Sequence, residues 1–353
     1  MRFQSVIVTA IWAAAVSIFG VVPATSMEFE TGVKSFTVPT AERDTLLDVT
    51  LWYPAEAGGA PVELGGNIFF EGTPAFQDAP MADGRFPLIL LSHGAGLAGR
   101  AEAMSWIAGP LAAKGFVVAG PTHPRNTGPD RSAEETMKLW LRPSDLSAVL
   151  DQIESDPALS AQVELSKTGV LGLSMGGNSA LSLVGAQIDP ERLAGYCDAP
   201  EPINSLCAWV QATGADLHQF DKEAAGRDSS DARVSYAVAI DPALVDVLAA
   251  DSFARVDVPV TLINLGFPED LDPSLNAAPI AAAIPSARYE VIEDASHYSM
   301  FGLCKPAAAA IAQEEGIEDP ICENGPSRSR AEIHADLIAR VAAHIEAALQ
   351  SVD

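Results

Sequence analysis

The stretch "GVLGLSMGGNSAL", residues 169–181, decides how the chain is read. Apolar residues run up to Leu173, Ser174 stands in a Gly-Leu-Ser-Met-Gly pentapeptide, and "MGGNSALSLVGAQ" continues with helical character. A serine on a sharp strand-to-helix turn needs small flanking residues, because a Cβ on either side would clash with the strained backbone. A helix that starts at such a turn also aims its first N–H groups at the serine, which favours negative charge developing there. Strand before and helix after make Ser174 a candidate nucleophile rather than a loop serine.

Outward from this turn the chain alternates strands and helices. "PLILLS" (87–92) is a continuous apolar run, as expected of a strand buried on both faces of a parallel sheet. "GFVVAGPTHP" (115–124), "TGVLGLS" (168–174), "RVSYAVAID" (233–241), "VPVTLINL" (258–265) and "ARYEVIED" (287–294) read as further strands, and "LLDVTLWYPA" (46–55) as an early half-exposed one. Helical spacing is expected over 102–114, over 142–155 with Ser144 as a cap, and over the amphipathic 329–350. The implied class is α/β, with a mostly parallel central sheet and helices on both faces. Residues 189–232 interrupt the alternation, and read as an insertion over the active site within one domain spanning 27–353.

A serine hydroxyl needs a base to take its proton. In hydrolases with this turn the chain order is Ser, acid, His, with the histidine after the last strand. His297, in "EDASHYSMF", fits that place; His334 and His344 lie in the terminal helix, His218 in the insertion, and His93 and His123 upstream of the serine. His93 reads as a residue that shapes its loop. Two acids compete on the residues alone: Asp241 ends the strand after the nucleophile's, and Asp270, with Glu269 and Asp272 beside it, follows the next one. "SHGAG" (92–96) follows a buried strand, so the backbone N–H groups of Ala95 and Met175 are the expected oxyanion donors.

The 353 residues are 48% hydrophobic and 19% charged, with 47 acids against 21 bases and a formal net charge of −26. An acidic surface of this kind repels nucleic acid and anionic membrane, which excludes both as expected partners. Arg2 is the one charge before Glu28, and "VIVTAIWAAAVSIFGVV" (6–22) is followed by "ATS" (24–26). This reads as a signal peptide, residues 1–26, cleaved after Ser26 and leaving no stable membrane insertion. The product is then exported, periplasmic or secreted. An even number of cysteines fits that compartment, and Cys197–Cys207 and Cys304–Cys322 are the expected pairs because each closes a local loop. No CxxC pair occurs, so no metal is expected, and the chemistry calls for no cofactor.

The stretches "LLSHGAGLAGR", "LAAKGFVVAGPTHPRNT", "RPSDLSAVLDQI", "GLSMGGNSAL", "YAVAIDPA" and "ASHYSMF" occur in the order found in one branch of the α/β-hydrolases. The chain resembles the platelet-activating-factor acetylhydrolase-like branch, which includes bacterial proteins described as dienelactone hydrolases. The resemblance covers most of residues 45–300. It implies an α/β-hydrolase fold and a serine esterase acting on a small-molecule ester through an acyl-enzyme. It also favours Asp241 over Asp270, since the branch places its acid at the end of the strand after the nucleophile's. The insertion 189–232 accounts for the long separation of Asp241 from Ser174. True dienelactone hydrolases use a cysteine where this chain has Ser174, so that activity does not carry over. Lipase, lactonase and amidase activities use the same triad, and a non-catalytic binding protein on the fold would be expected to lack a triad member.

Overall fold

The computed structural model describes residues 28–128 and 131–352, so the expected signal peptide lies outside the described residues. Ten strands form one sheet: β1 (Glu30–Val38), β2 (Leu47–Ala55), β3 (Ala60–Leu64), β4 (Thr73–Gln77), β5 (Phe86–Ser92), β6 (Val117–Thr122), β7 (Val163–Leu173), β8 (Ala237–Ile240), β9 (Val260–Leu265) and β10 (Ala287–Ile292). Their order is β10-β9-β8-β7-β5-β6-β2-β1-β4-β3. From β10 to β6 every neighbouring pair is parallel, while β2 is antiparallel to both β6 and β1.

The order places a switch point between β5 and β7. The chain leaves β5 toward β6 on one side, then returns to add β7 on the other. Connections diverge there, opening a crevice at the carboxyl ends of the strands, where ligands bind in sheets of this kind. The "SHGAG" loop follows β5 and Ser174 follows β7, so the fold brings these two motifs to one crevice.

Alternation along each central strand feeds two cores. Leu88 and Leu90 of β5 face one side with Leu146, Val149, Leu150 and Ile153 of the helix Leu141–Ser155. Ile89 and Leu91 face the other with Ile107 and Leu111 of the helix Ser105–Ala113 and Ile333, Leu337, Val341 and Ile345 of the helix Arg330–Val352. Full burial of one such aliphatic side chain stabilises by about 1.5–3 kcal/mol. A central strand anchored on both faces is therefore a rigid base for the loop that follows it.

The structure departs from the sequence reading in several places. Residues 102–114 form a 3-10 turn (Ala101–Met104) and then the helix Ser105–Ala113, not one helix. Ser144 is not a cap. The preceding turn runs straight into the helix through Leu141 N–H to Lys138 O and Arg142 N–H to Leu139 O, so the helix starts at Leu141. Ser144 then lies inside it, and its hydroxyl accepts a bond from Arg227 Nη2 at 2.7 Å. Strands β1, β3 and β4 add to those read from the sequence. The segment 189–232 holds the helices Pro190–Ala194, Ser205–Thr213 and Lys222–Ala225, and leads back into β8. Among the described residues no helix is long and apolar enough to cross a membrane.

Candidate active site

Ser174 sits between β7 and the helix Met175–Leu183 with φ 55° and ψ −125°, a region that side-chain-bearing residues rarely occupy. Neighbouring backbone holds it there. Ser174 N–H donates to Ile240 O (3.0 Å), and Ser174 O accepts from Gly177 N–H (2.8 Å) and Ala243 N–H (2.9 Å). Close packing explains the glycine at 176: a Cβ there would lie 1.9 Å from Ser92 O. A Cβ on Gly94 would lie 3.3 Å from Ser174 Cβ, so the "SHGAG" loop passes directly beside the serine.

The Ser174 hydroxyl lies 3.0 Å from His297 Nε2, and His297 Nδ1 lies 2.6 Å from Asp241 Oδ2. In the neutral tautomer that fits this chain, Nδ1–H donates to the carboxylate and Nε2 is free to accept the serine proton. Asp241 is fully buried, and its other oxygen accepts from Asn264 Nδ2 (2.8 Å) and Leu265 N–H (2.9 Å). Asn264 is itself fixed, since its Oδ1 accepts from Ala277 N–H and Tyr289 Oη–H. Asp270 lies in an exposed 3-10 turn, Pro268–Asp270, and its carboxylate makes no hydrogen bond to His297.

The histidine loop is anchored from behind. Within the 3-10 turn His297–Met300, Ser296 and Ser299 form a reciprocal capping box. Trp106 Nε1–H donates to Met300 O (2.9 Å) and His334 Nε2–H to Ser299 O (2.8 Å). The Trp106 and His334 rings stack with centroids 3.8 Å apart. The terminal helix thus fixes the loop that carries His297, a role for His334 that the sequence did not disclose.

His93 and His123 belong to a separate buried cluster. Ser92 Oγ–H reaches His123 Nε2 (2.9 Å), and His123 Nδ1–H reaches Asp145 Oδ2 (2.8 Å). All three residues are sealed from solvent, so this second Ser-His-Asp chain has no access for a substrate. Arg43 grips Asp145 with two bonds, at 3.0 and 2.7 Å. Burial, and then the Arg142 and Arg43 charges, pull His123 well below its usual range and keep it neutral.

Ser174, His297, Ala95 and Met175 open into one cavity of about 610 Å³. Neither the Ala95 nor the Met175 N–H donates to another described residue. Leu206 and Trp209, from the segment 189–232, form one part of the cavity wall; Tyr298, Phe301 and Ile321 form another. Each part carries a disulfide. Cys197–Cys207 ties down the start of the helix Ser205–Thr213, and Cys304–Cys322 closes the segment behind Phe301. All four cysteines are joined in the two expected local pairs. Phe70 supports the second part by packing on Phe301 with ring centroids 5.5 Å apart. Two larger surface grooves, about 800 and 670 Å³, contain no histidine in their lining.

No protein-family model matches the chain, and no curated protein sequence does. A solved structure that resembles it is a ferulic acid esterase from Streptomyces cinnamoneus, 19% identical over 94% of this chain and 93% of that one, with a TM-score of 0.61. The likeness establishes the fold, a mixed α/β architecture with a large central sheet covered by helices on both faces.

Burial lowers the His334 imidazole to about 4, below its ordinary 6.5. The unfolded chain takes up that proton first, so stability decreases as pH falls from about 6.5 toward 4. A shift of this size corresponds to about 3 kcal/mol at most. His334→Gln keeps a donor for Ser299 O and removes the titration. Its melting temperature is expected to fall less steeply than wild type between pH 7 and 4.5. Identical slopes would show that His334 does not contribute.

Proposed function

We propose that the protein is an exported serine esterase that hydrolyses carboxylic esters through an acyl-enzyme. The observation that carries this reading is the continuous chain from Ser174 Oγ through His297 to buried Asp241, at 3.0 and 2.6 Å. His297 Nε2 takes the hydroxyl proton as Oγ attacks the ester carbonyl, and the imidazolium formed is stabilised by Asp241. The tetrahedral oxyanion is received by the N–H groups of Ala95 and Met175, each worth about 3 kcal/mol where such donors have been removed in other enzymes. His297 then returns the proton to the departing alcohol. Water, deprotonated by the same imidazole, attacks the acyl carbonyl and releases the acid and Ser174. The two disulfides support the exported compartment.

The cavity favours esters with a bulky apolar or aromatic group over short acyl chains. Trp209, Leu206, Tyr298 and Phe301 line the cavity into which Ser174 opens and give it apolar and aromatic surface. The similar structure is titled a ferulic acid esterase, an enzyme named for an aromatic acid. The resemblance to the platelet-activating-factor acetylhydrolase-like branch points to esters more generally.

An ester panel run beside matched amides and lactones tests the activity. Ser174→Ala is expected to abolish turnover, and Asp241→Asn to lower kcat by about 10⁴-fold. Asp270→Asn should stay within twofold of wild type; loss of activity there, with Asp241→Asn active, would reverse the assignment. Faster turnover of amides than of esters would make the protein an amidase. Trp209→Ala should raise KM about tenfold for an aromatic acyl ester while leaving the acetyl ester nearly unchanged. Equal effects on both esters would remove Trp209 from substrate selection.

A further inference from the structure

We propose that Arg142 is a positioning residue of the oxyanion hole, holding the Gly94–Ala95 peptide so that its N–H faces Ser174 and lending that N–H its charge. The inference rests on the serine-esterase reading and extends it to a residue outside the cavity.

The peptide unit between Gly94 and Ala95 has two ends: the carbonyl is Gly94 O, and the N–H is the Ala95 donor. The bond is trans, so the two point in opposite directions. Two donors hold the carbonyl, His93 Nδ1–H at 2.6 Å and Arg142 Nη2–H at 3.3 Å. Arg142 Nη1–H also donates to His93 O at 2.7 Å, gripping the preceding peptide. With its carbonyl held in the protein interior, the peptide turns its N–H outward, toward the cavity that Ala95 and Ser174 share.

The histidine's part is set by its own contacts. His93 Nε2 accepts the His123 backbone N–H at 3.0 Å, which leaves the proton on Nδ1, the atom facing Gly94 O. His93 is fully buried, and burial together with the neighbouring His123 and Arg142 keeps it neutral.

Arg142, like Arg330, is a buried arginine whose hydrogen bonds go only to neutral groups. It is 1% exposed, yet its donors reach three neutral oxygens, His93 O, Gly94 O and Asn126 Oδ1, rather than a carboxylate. Its Nε has no hydrogen-bond partner. The nearby Asp145 carboxylate is taken by Arg43 and His123. Burial pulls the guanidinium down to about 9, so at neutral pH it remains a cation. A buried cation without a bonded anion is costly for folding alone. Here it sits one peptide away from the place where the reaction creates an anion. A cation bonded to a carbonyl polarises that peptide and strengthens the donor at its other end. The surrounding protein screens little, so the charge also acts on the oxyanion directly.

The test uses Arg142→Lys and Arg142→Met, with kcat and KM for a neutral ester and the affinity of a trifluoromethyl ketone that forms an anionic adduct with the serine. Arg142→Met should lower kcat 10- to 100-fold with KM within about twofold. The ketone should weaken by the same factor as kcat/KM, and Arg142→Lys should recover several-fold of the loss. A folded Arg142→Met with kcat and ketone affinity within twofold of wild type would overturn the proposal, as would a rise in KM at constant kcat. If Arg142→Met does not fold, His93→Leu removes the second carbonyl donor while keeping Arg142. A parallel loss of kcat and ketone affinity supports the proposal, and no change in either overturns it. Turnover and serine labelling of the wild type test the esterase reading separately from these variants.

Discussion

The backbone of Ser174 is held at φ 55°, ψ −125°, and much of the site is tied to that constraint. Keeping a side-chain-bearing residue in this region takes about 1–3 kcal/mol, which surrounding hydrogen bonds and packing must supply. Ser174 N–H is bound to Ile240 O at the end of β8, and Ser174 O accepts from Ala243 just beyond it. The bonds that hold the serine therefore also fix the end of the strand that carries Asp241. On the other side, Gly176 lets the helix press against Ser92 O at the end of β5. Ser174, Asp241 and the "SHGAG" loop are thus registered against one another through backbone contacts among three adjacent strands.

Around this rigid centre the chain places less regular material. The two cavity walls come from segments inserted between or after the sheet strands, and each is closed by a disulfide. A short loop-closing bridge limits the unfolded freedom of its own segment, which suits walls that lack the paired strands of the sheet. The third small core, with Phe69, Phe70, Ala308, Ala312 and Ile321, packs behind the second wall and joins it to the loop preceding β4. On the proposed reading, selectivity resides in stapled loops, while Ser174, Asp241 and His297 sit just beyond strand ends of the sheet.

The central strands, the nucleophile turn and the place of His297 could be read from local pattern, because each is a short-range signal: an apolar run, a glycine-flanked serine, a histidine after the last strand. Which acid reaches His297 could not be chosen from residues alone. What distinguishes Asp241 from Asp270 is the neighbouring strand β9, which supplies Leu265 N–H and Asn264 to the Asp241 carboxylate. That partnership depends on strand register across the sheet, which no local pattern carries. Strands β1, β3 and β4 are not legible in the sequence because their residues are largely half-buried or exposed and form no continuous apolar run. The mixed contacts of Arg142 were invisible in "RPSD", where the arginine looked like an ordinary residue at a helix start.

Reaction with a fluorophosphonate probe, followed by intact mass and peptide mapping, tests the central claim most directly. The account predicts a single adduct on Ser174, formed rapidly in the native protein and lost on denaturation before exposure to the probe. Absence of an adduct, or an adduct on a serine other than Ser174, would contradict it.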